Sequence, residues 1–230
     1  MPLTRAMVAP RHPPISKLNL ALLAGGRSTR MGSDKFLLEY PDGTPVYLNR
    51  LRMLQEAFPK ADRICIVLRD SSRAEHVRIP PEMGVHVLFV APTVGAAHVA
   101  GPAAGLHTLY CFDPASHWLV IPCDYPLLRG EDLTDLYHHY RDPVTCFANS
   151  QRSTEPIVAI WSPGALAHLT VTAVENRSGL SNLMLRLGGH TIPPRYDHCL
   201  FNTNTREEWD DALLLLKAMQ QTSLPNSSQD

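Results

Sequence analysis

The sequence has few features of a membrane or extracellular protein. No apolar run approaches the roughly 20 residues that a membrane-spanning helix needs. The five cysteines are widely spaced, without a Cys-x-x-Cys motif or a paired framework. This scatter argues against a disulfide scaffold, and it predicts reduced thiols in a cytoplasmic protein.

A strong charge of either sign is also missing. The formal net charge is −1, and the lysines and arginines occur only in small local groups. Without an overall positive field, we expect neither a nucleic-acid partner nor a membrane surface as partner. The eleven histidines show no His-x-x-x-His spacing, so we interpret them as surface or hydrogen-bonded residues rather than metal ligands.

The two ends of the chain differ in composition from the rest. Residues 1–17 are basic, contain four prolines and lack acidic residues. An organelle transit segment is one interpretation, but the prolines would break the amphipathic helix that such segments use. We therefore predict a disordered leader over 1–17, one domain over 18–220 and a disordered tail over 221–230.

Within 18–220, short apolar runs alternate with segments of helical periodicity, which predicts a mainly parallel sheet with helices on both faces, a three-layer α/β/α fold. The predicted strands are Leu18–Leu23, Arg63–Leu68, Val85–Val90, Trp118–Ile121, Val144–Ala148 and Ile157–Trp161. The predicted helices are Val46–Ala57, Pro102–Phe112, Glu131–Tyr140, Pro163–Leu169, Leu180–Leu187 and a last helix that begins after Thr205, with Glu208 completing a capping box.

Three glycine-rich or polar segments follow predicted strands. They are Gly25–Lys35, the loop before Gly101–Gly105, and Cys123–Asp124. Ligands of parallel sheets bind at the carboxyl ends of the strands, where such segments converge. The sequence therefore predicts a single site built from these three segments.

The first segment carries the strongest signal. Gly25 and Gly26 end an apolar run, and Arg27, Arg30 and Lys35 follow within ten residues. Glycines let a phosphate approach the backbone closely, and the cations can neutralise it. The segment is neither a Gly-x-Gly-x-x-Gly fingerprint nor a P-loop, because Gly-Lys-Ser/Thr is missing.

The segment instead has the pattern Leu-Ala-Gly-Gly, then Arg-Met-Gly-x-Asp-Lys, over residues 23–35. With it the chain resembles the MobA-like nucleotidyltransferases, the molybdenum cofactor guanylyltransferases, which have a Rossmann-like nucleotide-binding fold. Four later segments resemble the same family in the same order: Ala100–Leu106, Ile121–Pro126, Arg186–His190 and Phe201–Thr205. The resemblance covers Leu18 to about Lys217.

The resemblance implies transfer of GMP from GTP to molybdopterin, with Mg²⁺ as cofactor and pyrophosphate as leaving group. Both reactants are anions, so catalysis should consist of positioning and charge neutralisation. The nucleotide-binding residues would be Leu23, Ala24, Gly25, Gly26, Arg27, Lys35, Gly101 and Asp124. Lys35, Arg30 and Asp124 would be catalytic, Asp124 would hold the metal, and Arg177, Asn202 and Asn204 would bind the acceptor.

Each of these residues has a purely structural alternative. Lys35 could be a solvated lysine that opens a helix, and Arg30 could pair with Asp34. The side chain of Asp124 could cap the turn into Tyr125–Pro126. The remaining alternatives are close helix packing for Gly101 and Gly105, self-bonded turns for Asn202 and Asn204, and a solvent position for Arg177.

The chain also departs from the family pattern. Members that use GTP commonly carry Asn after the second strand and Asp after the third, both contacting the nucleotide. Here the second strand runs Ile64–Arg69 without an Asn, and the third runs into Val90–Pro92 without an Asp. This leaves open a CTP-dependent or sugar-phosphate-dependent transferase, and a non-catalytic nucleotide- or pterin-binding module. The double glycine favours GTP by resemblance, and the retained Arg30, Lys35 and Asp124 favour an enzyme.

Overall fold

The structure, a computed structural model, describes residues 15–26, 34–90, 101–174 and 179–222. Most of the predicted leader and tail lie outside these ranges. Within them, the strands are β1 (Leu18–Leu23), β2 (Arg63–Leu68), β3 (Val85–Phe89), β4 (His117–Pro122), β5 (Val144–Ala148), β6 (Thr154–Trp161) and β7 (His190–Ile192). The helices are α1 (Val46–Ala57), α2 (Pro102–Phe112), α3 (Gly130–His138), α4 (Pro163–Val174), α5 (Leu180–Arg186) and α6 (Arg206–Thr222).

The seven described strands form one mixed sheet in the order β3-β2-β1-β4-β6-β5-β7. Strands β3, β2, β1 and β4 are mutually parallel, and β7 is parallel to β5. Only β6 among them runs antiparallel, to both β4 and β5. The chain leaves β1 for β2 on one side and later returns to β4 on the other, so the carboxyl end of β1 lies at a topological switch point.

Helices cover both faces of the sheet, which confirms the predicted three-layer α/β/α fold. Successive residues of a strand point to opposite faces, and β1 is buried on both. Leu20 and Leu22 pack in the core formed with α1, α3 and α6, whereas Ala21 and Leu23 pack in the core formed with α2, α4 and α5. No helix in the part of the chain that the structure describes is long and apolar enough to cross a membrane.

Most predicted element bounds are confirmed to within two residues, and the exceptions have local causes. Strand β6 begins at Thr154 rather than Ile157, because a register shift opposite Cys146 and Phe147 accommodates Pro156 in the ladder. Strand β7 was not predicted because its three residues show no apolar run. Helix α4 continues to Val174, beyond the predicted end.

The start of α6 is as predicted. The Thr205 hydroxyl accepts a hydrogen bond from the backbone N–H of Glu208 at 3.2 Å, and the Glu208 carboxylate accepts one from the backbone N–H of Thr205 at 2.9 Å. This reciprocal capping box satisfies donors that a helix start otherwise leaves unpaired. Helix α6 then buries Trp209 and Ala212 against the sheet.

A buried carboxylate ties together the amino ends of the central strands, opposite the candidate site. Asp113 accepts hydrogen bonds from Lys17 Nζ at 2.8 Å and from Asn19 Nδ2 at 3.2 Å, and Arg63 lies 3.5 Å away. Burial alone would raise the pKa of Asp113, but the hydrogen bonds from Lys17 and Asn19 outweigh burial and lower it from 3.8 to about 2.

We expect this carboxylate to stabilise the fold at neutral pH by about 2 kcal/mol. Because the pKa is lower in the folded state, the contribution is complete above pH 3.8 and is lost as the pH falls towards 2. Asp113→Asn should therefore lower the free energy of unfolding in urea at pH 7 and flatten its decline at acid pH. The exposed Asp211→Asn serves as the control, and equal unfolding curves for the two variants would contradict the role of Asp113.

Candidate active site

A cavity of about 680 Å³ opens at the carboxyl ends of β1, β2 and β4. Its volume is within the range of small-molecule sites. The lining is mostly apolar, with polar side chains from Lys35, Arg69, Cys123 and Asp124. The other lining residues are Leu23, Ala24, Gly25, Gly26, Phe36, Val67, Val90, Gly101, Pro102, Ala104, Gly105, Pro122 and Ile157.

Two of the segments predicted to form one site, Gly25–Lys35 and Cys123–Asp124, contribute to this lining. The third, the loop before Gly101–Gly105, lies mostly outside the described residues, but Gly101 and Gly105 themselves line the cavity. Leu23–Gly26 prolongs β1, and the backbone N–H of Ala24 continues the pairing by donating to Val67 at 2.9 Å. A Cβ atom on Gly25 would lie 3.4 Å from the backbone nitrogen of Arg69. The end of β1 therefore lies close against the chain that leaves β2, and its bare backbone faces the cavity.

Lys35 is held in the site by its neighbour in sequence. Phe36 is 2% exposed and contacts Tyr47 edge to face, which anchors the short 3₁₀ turn of Lys35–Leu37. The Lys35 ammonium group donates to Asp124 Oδ2 at 3.2 Å and to Asn204 Oδ1 at 2.8 Å. Its side chain is only 15% exposed. These contacts contradict the alternative of a solvated lysine.

Asp124 follows β4 and points its carboxylate at the cavity. Oδ2 contacts Lys35, whereas Oδ1 is buried and has no hydrogen-bond partner among the described residues. The side chain accepts no backbone N–H of the described turn, so the capping alternative finds no support. The main-chain carbonyl of Asp124 accepts two bonds from Thr203, at 2.9 Å from N and 3.3 Å from Oγ1.

Gly101 and Gly105, which follow the second predicted segment, have different environments. Gly101 adopts φ +63° and ψ −145°, a conformation that side chains disfavour. Gly105 lies against β1, and a Cβ atom there would come within 2.9 Å of Leu23 Cδ2. For Gly105 the structure thus supports the alternative of close helix packing, whereas Gly101 begins α2 at the rim of the cavity.

The loop before α6 closes the site from the side of Asp124. Asn204 Oδ1 accepts from Lys35, and the Asn202 amide donates from Nδ2 to the Tyr125 hydroxyl at 3.4 Å. The amide contacts of both asparagines therefore reach other segments of the chain, which contradicts the alternative of self-bonded turns. Asn202 Oδ1 is buried without a partner among the described residues, and an unsatisfied buried acceptor costs about 1–3 kcal/mol.

Three predicted cations lie outside the described residues: Arg27, Arg30 and Arg177. Their contacts, and the alternative pairing of Arg30 with Asp34, stay predictions. The structure does show a partner for Asp34, which forms an ion pair with Arg73.

Sequence reasoning missed three polar residues of this region. Arg69 follows β2 directly and lines the cavity, and Tyr125 and Glu155 share a hydrogen bond of 2.7 Å beside Asn202. The sequence did contain a signal that could have identified Arg69, namely its position at the end of a predicted parallel strand. The sequence contained no such signal for Glu155, because its strand begins with polar residues and Tyr125, its hydrogen-bond partner, is 30 positions away.

The thiol in the lining adds no charge to the site. Burial raises the pKa of Cys123 far above its usual value of 9.0, so the thiol is protonated at neutral pH. The described ionic groups of the cavity are thus Lys35, Asp124 and Arg69. One carboxylate between cations at the ends of parallel strands is suited to binding a phosphorylated ligand, directly or through a divalent metal.

The family model of the MobA-like NTP transferase domain matches residues 20–191. A probable molybdenum cofactor guanylyltransferase of Rhodopirellula baltica is 30% identical over 194 residues, which cover 80% of this chain and 86% of that protein. A second protein of that name, from Methanothermobacter thermautotrophicus, is 26% identical over 72% of this chain and 82% of its own.

A solved structure is similar over most of the fold. It is a molybdopterin-guanine dinucleotide biosynthesis protein A of Archaeoglobus fulgidus, with a TM-score of 0.66 and 19% identity. The match covers 87% of this chain and 100% of that one. At this identity the likeness supports the fold alone.

Proposed function

The chain belongs to the MobA-like NTP transferase family, a family of nucleotidyltransferases, and we propose that it transfers GMP from GTP to molybdopterin and releases pyrophosphate. The observation that carries this proposal is the contact of Lys35 with Asp124 at the mouth of a nucleotide-sized cavity. The names of its relatives, probable molybdenum cofactor guanylyltransferases, support the guanylyl donor and a molybdenum-cofactor acceptor. We place the reaction in the cytoplasm, where five free thiols stay reduced.

In the proposed reaction, a phosphate oxygen of the acceptor forms a bond to the α-phosphorus of GTP. The bond from that phosphorus to the bridging oxygen breaks, and pyrophosphate leaves with the electron pair. The backbone N–H groups of Gly25 and Gly26 bind phosphate oxygens, and the Lys35 ammonium group neutralises developing charge. Asn204 and Asp124 hold that ammonium group before the nucleotide arrives, which lowers the reorganisation needed in the transition state.

The residues present are suited to Mg²⁺. Asp124 supplies a buried carboxylate oxygen, Oδ1, without a partner among the described residues, and oxygen is the ligand type that Mg²⁺ prefers. Among the described residues no cluster of three acidic, His or Cys side chains could hold a metal. A single carboxylate is nevertheless sufficient, because Mg²⁺ in nucleotide sites is bound by one or two carboxylates together with substrate phosphates. When bound, Mg²⁺ would supply charge neutralisation of the phosphates.

The proposal is tested by incubating the purified protein with Mg²⁺, each of the four NTPs and either molybdopterin or a sugar phosphate. Pyrophosphate release is the readout. We expect release with GTP and molybdopterin. Release with CTP but not GTP would overturn the base assignment, release only with a sugar phosphate would overturn the acceptor, and no release with any pair would overturn the enzyme.

Arg69 is our candidate for reading the base. Strands β2 and β4 flank β1, so Arg69 and Asp124 emerge about two strand spacings, roughly 10 Å, apart. The lining near Arg69 is apolar, with Val67 and Val90, as a base requires. Arg69 Nε donates to Asp70 at 3.3 Å, and its guanidinium forms no other hydrogen bond to the described residues. A guanidinium fork matches the O6 and N7 acceptors of guanine, whereas adenine presents a donor at that edge.

We therefore expect Arg69→Ala to reduce the preference for GTP over ATP in kcat/KM. A bidentate contact to guanine is worth about 1–3 kcal/mol of discrimination, or about 5- to 150-fold. The analogue 7-deaza-GTP, which lacks the N7 acceptor, should be a poorer substrate for the wild type and equal to GTP for the variant. A similar loss with GTP and ATP would assign Arg69 to the phosphates instead.

A further inference from the structure

Three polar side chains form a hydrogen-bonded chain behind the site. The Tyr125 hydroxyl donates to Glu155 Oε2 at 2.7 Å, and Asn202 Nδ2 donates to the same hydroxyl at 3.4 Å. Tyr125 is 1% exposed and directly follows Asp124. These hydrogen bonds thus connect β6 with the Asp124 turn and with the loop before α6.

The chemistry of these three side chains determines which group donates and which accepts in each hydrogen bond. A carboxylate can only accept hydrogen bonds, so the single proton of the Tyr125 hydroxyl points to Glu155. The hydroxyl can then only accept from Asn202, which must present its NH₂ group to Tyr125. As a result Asn202 Oδ1 points away from Tyr125, and it is buried without a hydrogen-bond partner among the described residues.

Asn202 Oδ1 is therefore an acceptor atom that still lacks a hydrogen-bond donor among the described residues. The neighbouring Thr203 binds the main-chain carbonyl of Asp124, and Asn204 binds Lys35, so the loop that carries Asn202 is packed on the proposed reaction centre. A ligand that supplies an N–H or O–H group at this position would satisfy Asn202 Oδ1.

We propose that Glu155 is a positioning residue for the acceptor substrate: through Tyr125 it orients the Asn202 amide so that Oδ1 accepts a hydrogen bond from an N–H or O–H group of the acceptor. This inference rests on the proposed function. It adds a residue that touches neither substrate and acts through two others.

Two variants test the chain at different points. Tyr125→Phe removes the hydroxyl and keeps the ring. Glu155→Gln keeps the shape, but its amide can donate to Tyr125, which lets the hydroxyl donate to Asn202 and turn its amide over. Both should raise the KM for molybdopterin about two- to twelvefold, the range for loss of one hydrogen bond, with the KM for GTP changed less than twofold.

A pH profile gives a readout that a purely structural role would not move. Burial raises the pKa of Glu155 above 4.5, although the Tyr125 hydrogen bond opposes this, and the charge of Asp124 raises it further. A protonated Glu155 could donate to Tyr125, so the KM for molybdopterin should rise as the pH falls towards that pKa, and Glu155→Gln should lack this rise. Two other titratable groups face Glu155. The pKa of Tyr125 is raised above 10.0 and the pKa of the Cys146 thiol is raised to about 12, so neither group titrates in this range.

Controls separate the possible failures. Exposed Glu56→Gln should behave as the wild type, and Tyr125→Phe combined with Asn202→Ala should be no worse than Asn202→Ala alone. Thermal unfolding identifies a variant that fails to fold, in which case the second variant decides. Normal turnover with an unchanged KM for molybdopterin, or an equal rise of both KM values, would overturn the inference alone. A wild type that releases no pyrophosphate would overturn the proposed function, and the inference with it.

Discussion

We expect Asp124→Asn to lower kcat for pyrophosphate release about a thousandfold while leaving the fold intact. Asparagine keeps the size of the side chain and an oxygen that can accept from Lys35. It removes the negative charge that a divalent cation needs. Loss of metal-assisted charge neutralisation is worth several kcal/mol, and about 4 kcal/mol corresponds to three orders of magnitude in rate.

The measurement is steady-state turnover over a series of Mg²⁺ concentrations, with thermal unfolding to verify the fold. Asp211→Asn, an exposed carboxylate on α6, makes the same chemical change away from the site and should leave turnover unchanged. An Asp124→Asn protein that keeps more than a tenth of the wild-type rate would remove Asp124 from the metal-binding role.

The fold was predictable because its central strands are buried on both faces. Such strands form continuous apolar runs, and all six residues of Leu18–Leu23 are buried. For Leu18–Leu23 and Arg63–Leu68 the predicted and the observed strand bounds therefore coincide. The convergence of Gly26, Lys35 and Asp124 on one cavity follows from the same topology, since parallel strands deliver their carboxyl ends to one edge.

The hydrogen-bonded surroundings of the site were not predictable in the same way. Lys35 and Asn204, which share a hydrogen bond, are 169 positions apart, and Asn19 and Asp113 are 94 positions apart. No local periodicity reports which polar side chains will meet at such separations. Glu155 lies in the part of β6 that opposes a register shift, and there the strand pattern itself is interrupted.

We expect Lys35→Met to lower kcat/KM for GTP by roughly 2–4 kcal/mol, or about 30- to 1,000-fold, the range for removal of one charge-stabilising group. Methionine preserves much of the apolar stem and removes the ammonium group. Lys35→Arg should restore little activity, because a planar fork does not fit a position that holds a compact ammonium between Asp124 and Asn204. Lys217→Met, on the exposed side of α6, is the matched control, and an unchanged rate in Lys35→Met would place Lys35 outside the machinery.

The combined variant of Lys35 and Asp124 distinguishes two ways in which this pair could act. Residues in contact that stabilise the same transition-state charge lose their effects non-additively. With their side chains 3.2 Å apart, we expect the double variant Lys35→Met/Asp124→Asn to be little slower than Asp124→Asn alone, when measured under saturating nucleotide and acceptor. Fully additive losses would mean that Lys35 and Asp124 stabilise different parts of the reaction. The contact between them would then position the two side chains before the nucleotide binds, rather than neutralise one common phosphate.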